Sequence, residues 1–304
     1  MPNARLMFNS ELDRQHTISA PVIFSGVGLH TGVPVNLTLT PAAANAGIVF
    51  KRVDLEGFSV KATAANVARV SYATSLMRKG VLVSTTEHLL SALVAAGVDN
   101  VIAEIDNLEV PIMDGSASPF AREIARVGLR RQRAKRRYIR VLKQVEITEG
   151  AKRIGVYPST AYRVTYYIDF AHPLIGRQTF EWALSPNAFL ENIAPARTFG
   201  FSDEVDSLRK AGLVRGGSLE NAVVLSRDGV LNREGLRFPD EFCRHKILDL
   251  IGDLALLGHP IVGHVVAHRA GHAMHYALVS HLLAHREAWC LVESSPTQLR
   301  SSAA

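Results

Sequence analysis

His245 and Asp249 stand four residues apart in Phe242-Cys243-Arg244-His245-Lys246-Ile247-Leu248-Asp249-Leu250-Ile251-Gly252-Asp253-Leu254. Apolar residues at 247, 248, 251 and 254 recur at helical spacing. On such a helix, positions 245 and 249 project from one face, one turn apart, with Asp253 a turn further on. An imidazole and a carboxylate so placed can close on a zinc ion from one rigid element, through bonds of about 2.0–2.2 Å. His88, in Val83-Ser84-Thr85-Thr86-Glu87-His88-Leu89, is the best third ligand because an acid directly precedes it. Three protein ligands with a fourth position left for water form the arrangement of a catalytic zinc site. Two histidines and an aspartate also suit Fe(II). There is no HExxH pattern, and with 12 histidines in the chain a pair can align by accident. On spacing alone, His88 could equally cap a helix or face a core polar group.

Glu87 is placed to take a proton from a water activated at such a site. Its competing role is specific, because Ser84-Thr85-Thr86-Glu87 matches the S/T-x-x-E capping box. A second pair is Asp253 with His272, the latter in Arg269-Ala270-Gly271-His272-Ala273 at a strand-to-helix junction. A helix start suits a proton donor near a developing anion. Asp253 could orient that ring and keep it protonated. Histidines 259, 264, 268, 275, 281 and 285 crowd the same region, so the alternative for His272 is a plain surface histidine.

The elements that must carry these residues follow one order twice. In the first half, Ser25 to Gly32 reads as a glycine-punctuated turn, without the GxGxxG spacing of a nucleotide fold. Val33, Val35, Leu37 and Leu39 alternate as on a half-buried strand, and Gly47 to Val53 and Val81 to Val83 are further strands. Ser84 to Ala96 is a helix closed by Gly97, Asn100 to Ile105 a strand, Val110 to Ala117 a turn and Pro119 to Val127 a helix. In the second half, Tyr138 to Ile147, Ile154 to Tyr157, Tyr162 to Phe170 and Gln178 to Ala183 are expected strands. Phe199 to Leu213 suits a short amphipathic insert, and Ala222 to Leu231 a hairpin turning at Asp228-Gly229. A helix from Glu241 to Leu257, a strand from Ile261 to Ala267, a helix from Ala273 to His285 and a strand from Ala288 to Val292 complete it. The serines and alanines at the end are expected to fray. Strands, helix, strand, helix in each half favour an α+β fold of two similarly built domains, although the halves share no convincing sequence similarity.

At 304 residues, 47% hydrophobic and 20% charged, the chain can build two cores. Met1 to Gln15 has no apolar stretch of a signal peptide. Leu254 to Val266 is too short and too interrupted to span a bilayer, so no membrane anchor is expected. Cys243 and Cys290 form no CxxC motif, and the cytoplasm is the expected location. The net charge of +6 comes from Leu129 to Arg140, which holds seven cations and no acid. This run could attract a polyanion. A solvated linker between domains is the preferred reading, with no nucleic-acid partner, because no binding module surrounds the run. No motif speaks for an oligomer, and a monomer is expected.

Seven motifs together resemble the zinc-dependent UDP-3-O-acyl-N-acetylglucosamine deacetylases of Gram-negative bacteria, which carry out the committed step of lipid A synthesis. They are Gly26-Val27-Gly28-Leu29-His30-Thr31-Gly32, Ser84 to Leu89, Pro111-Ile112-Met113-Asp114-Gly115-Ser116, Arg197-Thr198-Phe199-Gly200-Phe201, Gly235-Leu236-Arg237-Phe238, His245 to Asp253, and Gly271-His272. The resemblance spans nearly the whole chain. It implies zinc on His88, His245 and Asp249, Glu87 as general base, and His272 as oxyanion stabiliser and proton donor, oriented by Asp253. It implies that Thr198 donates to the oxyanion, that Lys246 and Arg269 meet the phosphate-bearing part of an acylated UDP-sugar, and that Phe170 packs on uracil. It makes Phe199 to Gly217 the lining of an acyl passage. It implies two α+β domains, 1–134 and 135–304, with the site between them and an insert at about 197–217. The chain departs from the family in having Met274-His275-Tyr276 where asparagines usually follow Gly-His-Ala, and Arg269 where lysine is frequent. No role for His30 follows.

Overall fold

The computed structural model describes residues 13–293. The fraying expected at the serine- and alanine-containing end, and most of Met1 to Gln15, lie outside them. Six α-helices carry the architecture of these residues: α1 (Glu87–Ala96), α2 (Ser118–Val127), α3 (Pro186–Asn192), α4 (Val205–Lys210), α5 (Glu241–Leu254) and α6 (His272–Ala284).

Two five-stranded sheets share one plan. In the first, the spatial order is Val22–Val27, Pro34–Pro41, Val101–Ile105, Ile48–Arg52, Phe58–Lys61. In the second it is Val145–Glu149, Lys152–Tyr157, His264–His268, Arg163–Asp169, Arg177–Ala183. Each has antiparallel neighbours except one central parallel pair, Ile48–Arg52 with Val101–Ile105 and Arg163–Asp169 with His264–His268. A parallel pair needs a crossover. In the first half that crossover carries α1, and in the second it carries α5. The next helices, α2 and α6, follow the central strands in the same way. The chain is therefore α+β, with two layers of like topology.

The strand pattern follows from alternation. Val35, Leu37 and Leu39 are buried while their neighbours are not, so one face of that strand meets the core. α5 differs, because 12 of its residues from Glu241 to Leu254 are buried. A helix enclosed on all sides needs apolar residues all round, and its few polar residues must find partners. α1 and α5, the two equivalent helices, lie against each other. Gly252 lets them approach, since a Cβ there would sit 2.0 Å from the Glu87 carbonyl oxygen.

Several boundaries differ from expectation. Leu129 to Arg140 is not a linker. Leu129–Lys135 pairs with Arg14–Ile18, and Arg137–Val141 lies between Ile261–Val262 and Trp289–Glu293. Arg131, Lys135 and Arg136 of this run pair with Asp13, Glu293 and Asp99 at 2.6, 2.7 and 2.9 Å. Charge composition reads as solvation, but here the backbone hydrogen bonds were decided by the strands alongside. Tyr138 to Ile147 and Ile261 to Ala267 each divide between two sheets. The second breaks at Gly263, where a Cβ would meet Val141 Cγ2 at 2.7 Å. Ser25, Gly26 and Val27 end a strand before the turn begins. Val223–Leu225 pairs in parallel with Phe199–Phe201, and the expected hairpin is short: Leu225 and Val230 bridge, the Leu231 N–H donates to the Val224 carbonyl at 2.8 Å and the Ser226 N–H to the Gly229 carbonyl at 2.9 Å. Both cysteines are free. Among the described residues, no helix is long and apolar enough to cross a membrane.

Candidate active site

The segment before α1 holds its shape at a cost. Thr85 is β-branched yet sits at φ 57°, a region that such residues avoid. Its hydroxyl donates to Glu109 Oε1 at 2.8 Å, and the same buried carboxylate accepts the N–H groups of His30 and Thr31 at 2.9 and 2.8 Å. The glycine turn and the start of α1 are thereby joined through one acid. No capping box forms: Ser84 Oγ pairs with Ser75 Oγ at 2.9 Å, and the Thr86 side chain makes no cap. The Glu87 carboxyl instead turns inward, where Oε2 accepts the Thr74 N–H at 3.1 Å.

His88, on the first turn of α1, meets His245 and Asp249 of α5. Asp249 Oδ1 lies 3.3 Å from His245 Nε2 and 3.6 Å from His88 Nε2. One donor atom from each residue falls within 4.8 Å of the others, and all three side chains are buried. Bonds of about 2.1 Å at tetrahedral angles put ligand atoms about 3.4 Å apart. The spacing and the donor set thus both fit a divalent cation. His245 Nδ1 lies 3.1 Å from the Ala196 carbonyl, which orients Nε2 toward Asp249. Burial holds the His245 pKa down to about 3, so its lone pair is free. Burial alone would raise Asp249, but His245, Lys246 and His88 hold it well below the carboxylate range. Lys246 Nζ donates to the other oxygen, Oδ2, at 2.8 Å.

Beside this trio, burial pushes the Glu87 carboxyl up to about 7, against the pull of His272 and His88. His272 Nδ1 donates to Asp253 Oδ2 at 2.8 Å. Its other nitrogen, Nε2, lies 3.9 Å from both Glu87 Oε1 and Asp249 Oδ2. Burial would lower His272, but the charge and hydrogen bond of Asp253, with Asp249 and Glu87, raise it to about 9. Asp253 in turn sits at about 2, because His272 and His275 outweigh its burial.

Thr198 follows Arg197 on the loop that bonds to His245. Its backbone N–H donates to Gly115 at 2.8 Å and its carbonyl accepts from Val223 at 2.8 Å. Phe199 lies 6.3 Å from the His245 ring and 5.7 Å from Phe170, so both aromatic candidates belong to one cluster above the trio. Lys246 Nζ stands 5.6 Å from the Phe199 ring. Arg269 is the outlier, a half-exposed side chain near Asp169 at 3.7 Å on backbone at φ 52°.

Four residues at the site escaped sequence reasoning. Thr74 donates its hydroxyl to Asp253 Oδ1 at 2.5 Å. His275, fully buried, meets Asp253 Oδ2 at 2.8 Å, whereas in the sequence it stood only among the crowd of histidines and as a departure from the family pattern. Arg197 and Glu241 form a buried pair at 2.9 Å that ties the Thr198 loop to the first turn of α5. An arginine and a glutamate 44 residues apart carry no local signal.

Two histidines and an aspartate, with a buried carboxyl near neutrality and a protonated imidazole alongside, are the parts of a metal-dependent hydrolase that cleaves amides. The family model of UDP-3-O-acyl N-acetylglycosamine deacetylases matches residues 15–284. A UDP-3-O-acyl-N-acetylglucosamine deacetylase of Solibacter usitatus is 54% identical over 88% of this chain and 90% of its own. Proteins of the same name from Phenylobacterium zucineum and Geobacter sp. (strain M21) are 48% and 46% identical. They cover 90% and 93% of this chain and 95% and 93% of their own. The chain belongs to the UDP-3-O-acyl N-acetylglycosamine deacetylase family.

Proposed function

We propose that this chain hydrolyses the N-acetyl group of UDP-3-O-[(R)-3-hydroxyacyl]-N-acetylglucosamine, releasing acetate and the free amine, in lipid A synthesis. His88, His245 and Asp249 would hold zinc. The observation that carries this reading is the 3.3 and 3.6 Å spacing of three buried donors contributed by two helices. Zinc supplies a Lewis acid that polarises the amide carbonyl and acidifies a water.

The chain's own groups do the rest. Glu87 takes the proton of the attacking water, a task suited to a carboxyl whose pKa, raised to about 7 by burial, lies near the working pH. His272 enters the reaction protonated, since its Nδ1–H is committed to Asp253 and its pKa is about 9. Its Nε2–H donates to the oxyanion as charge develops, then passes the proton to the departing amine. An amide leaves poorly without that proton. Thr198 adds a hydroxyl donor to the oxyanion, a contribution of the kind that oxyanion holes make. Lys246 and Arg269 meet the phosphate-bearing part, Lys246 by exchanging its bond to Asp249. Phe170 packs on uracil, and Phe199 opens the acyl passage that continues to Gly217. The same reading has the chain act in the cytoplasm as a monomer.

The test is acetate release from the acylated UDP-sugar by the zinc-reconstituted chain, with metal content measured on the same sample. Stoichiometric zinc with turnover is expected. Zinc without acetate release would overturn the reaction, and iron as the metal carried by the chain purified without reconstitution would overturn the choice of zinc alone.

A further inference from the structure

A second cleft lies at the C-terminal ends of α1 and α5. It encloses about 320 Å³, within the range of small-molecule sites. Its apolar lining comes from both halves, Ile48, Val94 and Val98 from the first and Ile251, Leu254 and Ile261 from the second, interspersed with polar side chains such as Gln15, Asn45 and Asn100. Lys61, Arg136, Arg137 and His259 line it as well, with Lys61 and Arg137 exposed and Arg136 buried. The basic run, which the reaction leaves unused, thus delivers two of its arginines here.

The charges lining the cleft are unbalanced. The acid that lines the cleft, Asp99, is engaged by Arg136 at 2.9 Å and by the His16 N–H at 2.8 Å. Glu293, the acid whose charge Arg137 feels, is bonded to Lys135 at 2.7 Å. Among the described residues, Lys61, Arg137 and His259 form no ion pair. His259 is held below its ordinary value first by burial and then by the charges of Arg137 and Lys61, so the three groups share one neighbourhood. The like charges of Lys61 and Arg137 beside an apolar hollow repel one another, and an anion between them would relieve that repulsion and accept an N–H from the neutral His259 ring.

We propose that this cleft binds a small amphiphilic anion, its carboxylate or phosphate head between Lys61, Arg137 and His259 and its alkyl tail against Val94, Val98 and Leu254. The site is separate from the acyl passage, since its lining includes none of the catalytic or aromatic residues described above.

Titration calorimetry on the metal-loaded chain tests this with decanoate and decyl phosphate as probes, and acetate and decyltrimethylammonium as controls. One equivalent of each amphiphilic anion should bind, and neither control. Lys61→Glu with Arg137→Glu should weaken binding about tenfold or more, as expected for a lost charge-assisted contact, while deacetylation is unchanged. Val94→Trp should weaken it by filling the hollow, and folding is checked by thermal unfolding. Binding of equal strength to the native chain and the double variant would overturn the proposal. So would displacement of the probe by saturating deacetylation product, which would seat it in the catalytic cleft. Failure of the native chain to bind either anion would also overturn it.

Discussion

Glu87 and His272 are both ionisable and nearly touching, and their environments push them apart in role. Burial makes Glu87 a carboxyl near neutrality, while Asp253 keeps His272 charged to about pH 9. Glu87→Gln keeps the shape and the Thr74 contact but cannot accept a proton. It should lower kcat roughly 10²–10⁴-fold, with bound metal unchanged. A variant turning over at the native rate would remove Glu87 from the chemistry. Asp253→Asn should act through the imidazole. In the native chain His272 loses its proton only as pH rises through about 9, so activity should decline there. With the carboxylate gone, that decline should move to lower pH in a kcat/KM profile. An unmoved alkaline limb would show that Asp253 does not set the charge of His272. At this scale the sequence was informative: an i, i+4 His–Asp pair and an acid beside a histidine are local patterns. Thr74 and His275 were not legible, because what recruits them to Asp253 is a fold contact and not a spacing.

The helices set how closely these residues meet. Gly252 stands in contact with the Glu87 backbone, and any side chain there must wedge α1 from α5. Gly252→Ala should cost about 1–3 kcal/mol in denaturant unfolding and lower metal affinity, because the wedge acts between the elements that hold His88 and Asp249. Native stability and metal affinity in that variant would show that the helices have room to spare. Arg197 and Glu241 work at the other end of α5, where Glu241 also accepts the Arg237 N–H at 2.6 Å. Removing one partner of a buried pair strands the other, so Arg197→Met should cost about 3–5 kcal/mol by the same measurement. The i, i+3/i+4 pattern announced α5, but it could not say that both faces would be covered. Burial all round depends on two layers closing over one helix.

Over the whole molecule, the two like-built layers place their equivalent helices α1 and α5 in contact, and the proposed metal ligands are divided between them. We propose that these layers are the units 1–134 and 135–304, with the catalytic groups at their junction. A cation bound there joins both, and binding only to the folded chain stabilises it by mass action. At free zinc about 1,000 times its dissociation constant, this amounts to about 4 kcal/mol. Thermal unfolding should therefore shift downward on chelation and return when zinc is restored. A melting temperature indifferent to chelator would argue against a shared ligand set.

The sequence by itself determined the α+β class and most helices and strands, and it singled out His245 with Asp249 as a candidate pair, since these rest on periodicity and on residue types within a few positions of one another; that His88 stands beside that pair was decided by the fold. It could not decide the fate of the basic run, which composition read as a solvated linker and which the neighbouring strands drew into two sheets. Nor could it choose between a cap and an inward carboxyl for Glu87. Only the tertiary structure decided those questions. A hydrogen-bond partner 13 residues away, or an opposing helix 150 residues on, outweighs any preference that a short stretch of chain holds alone.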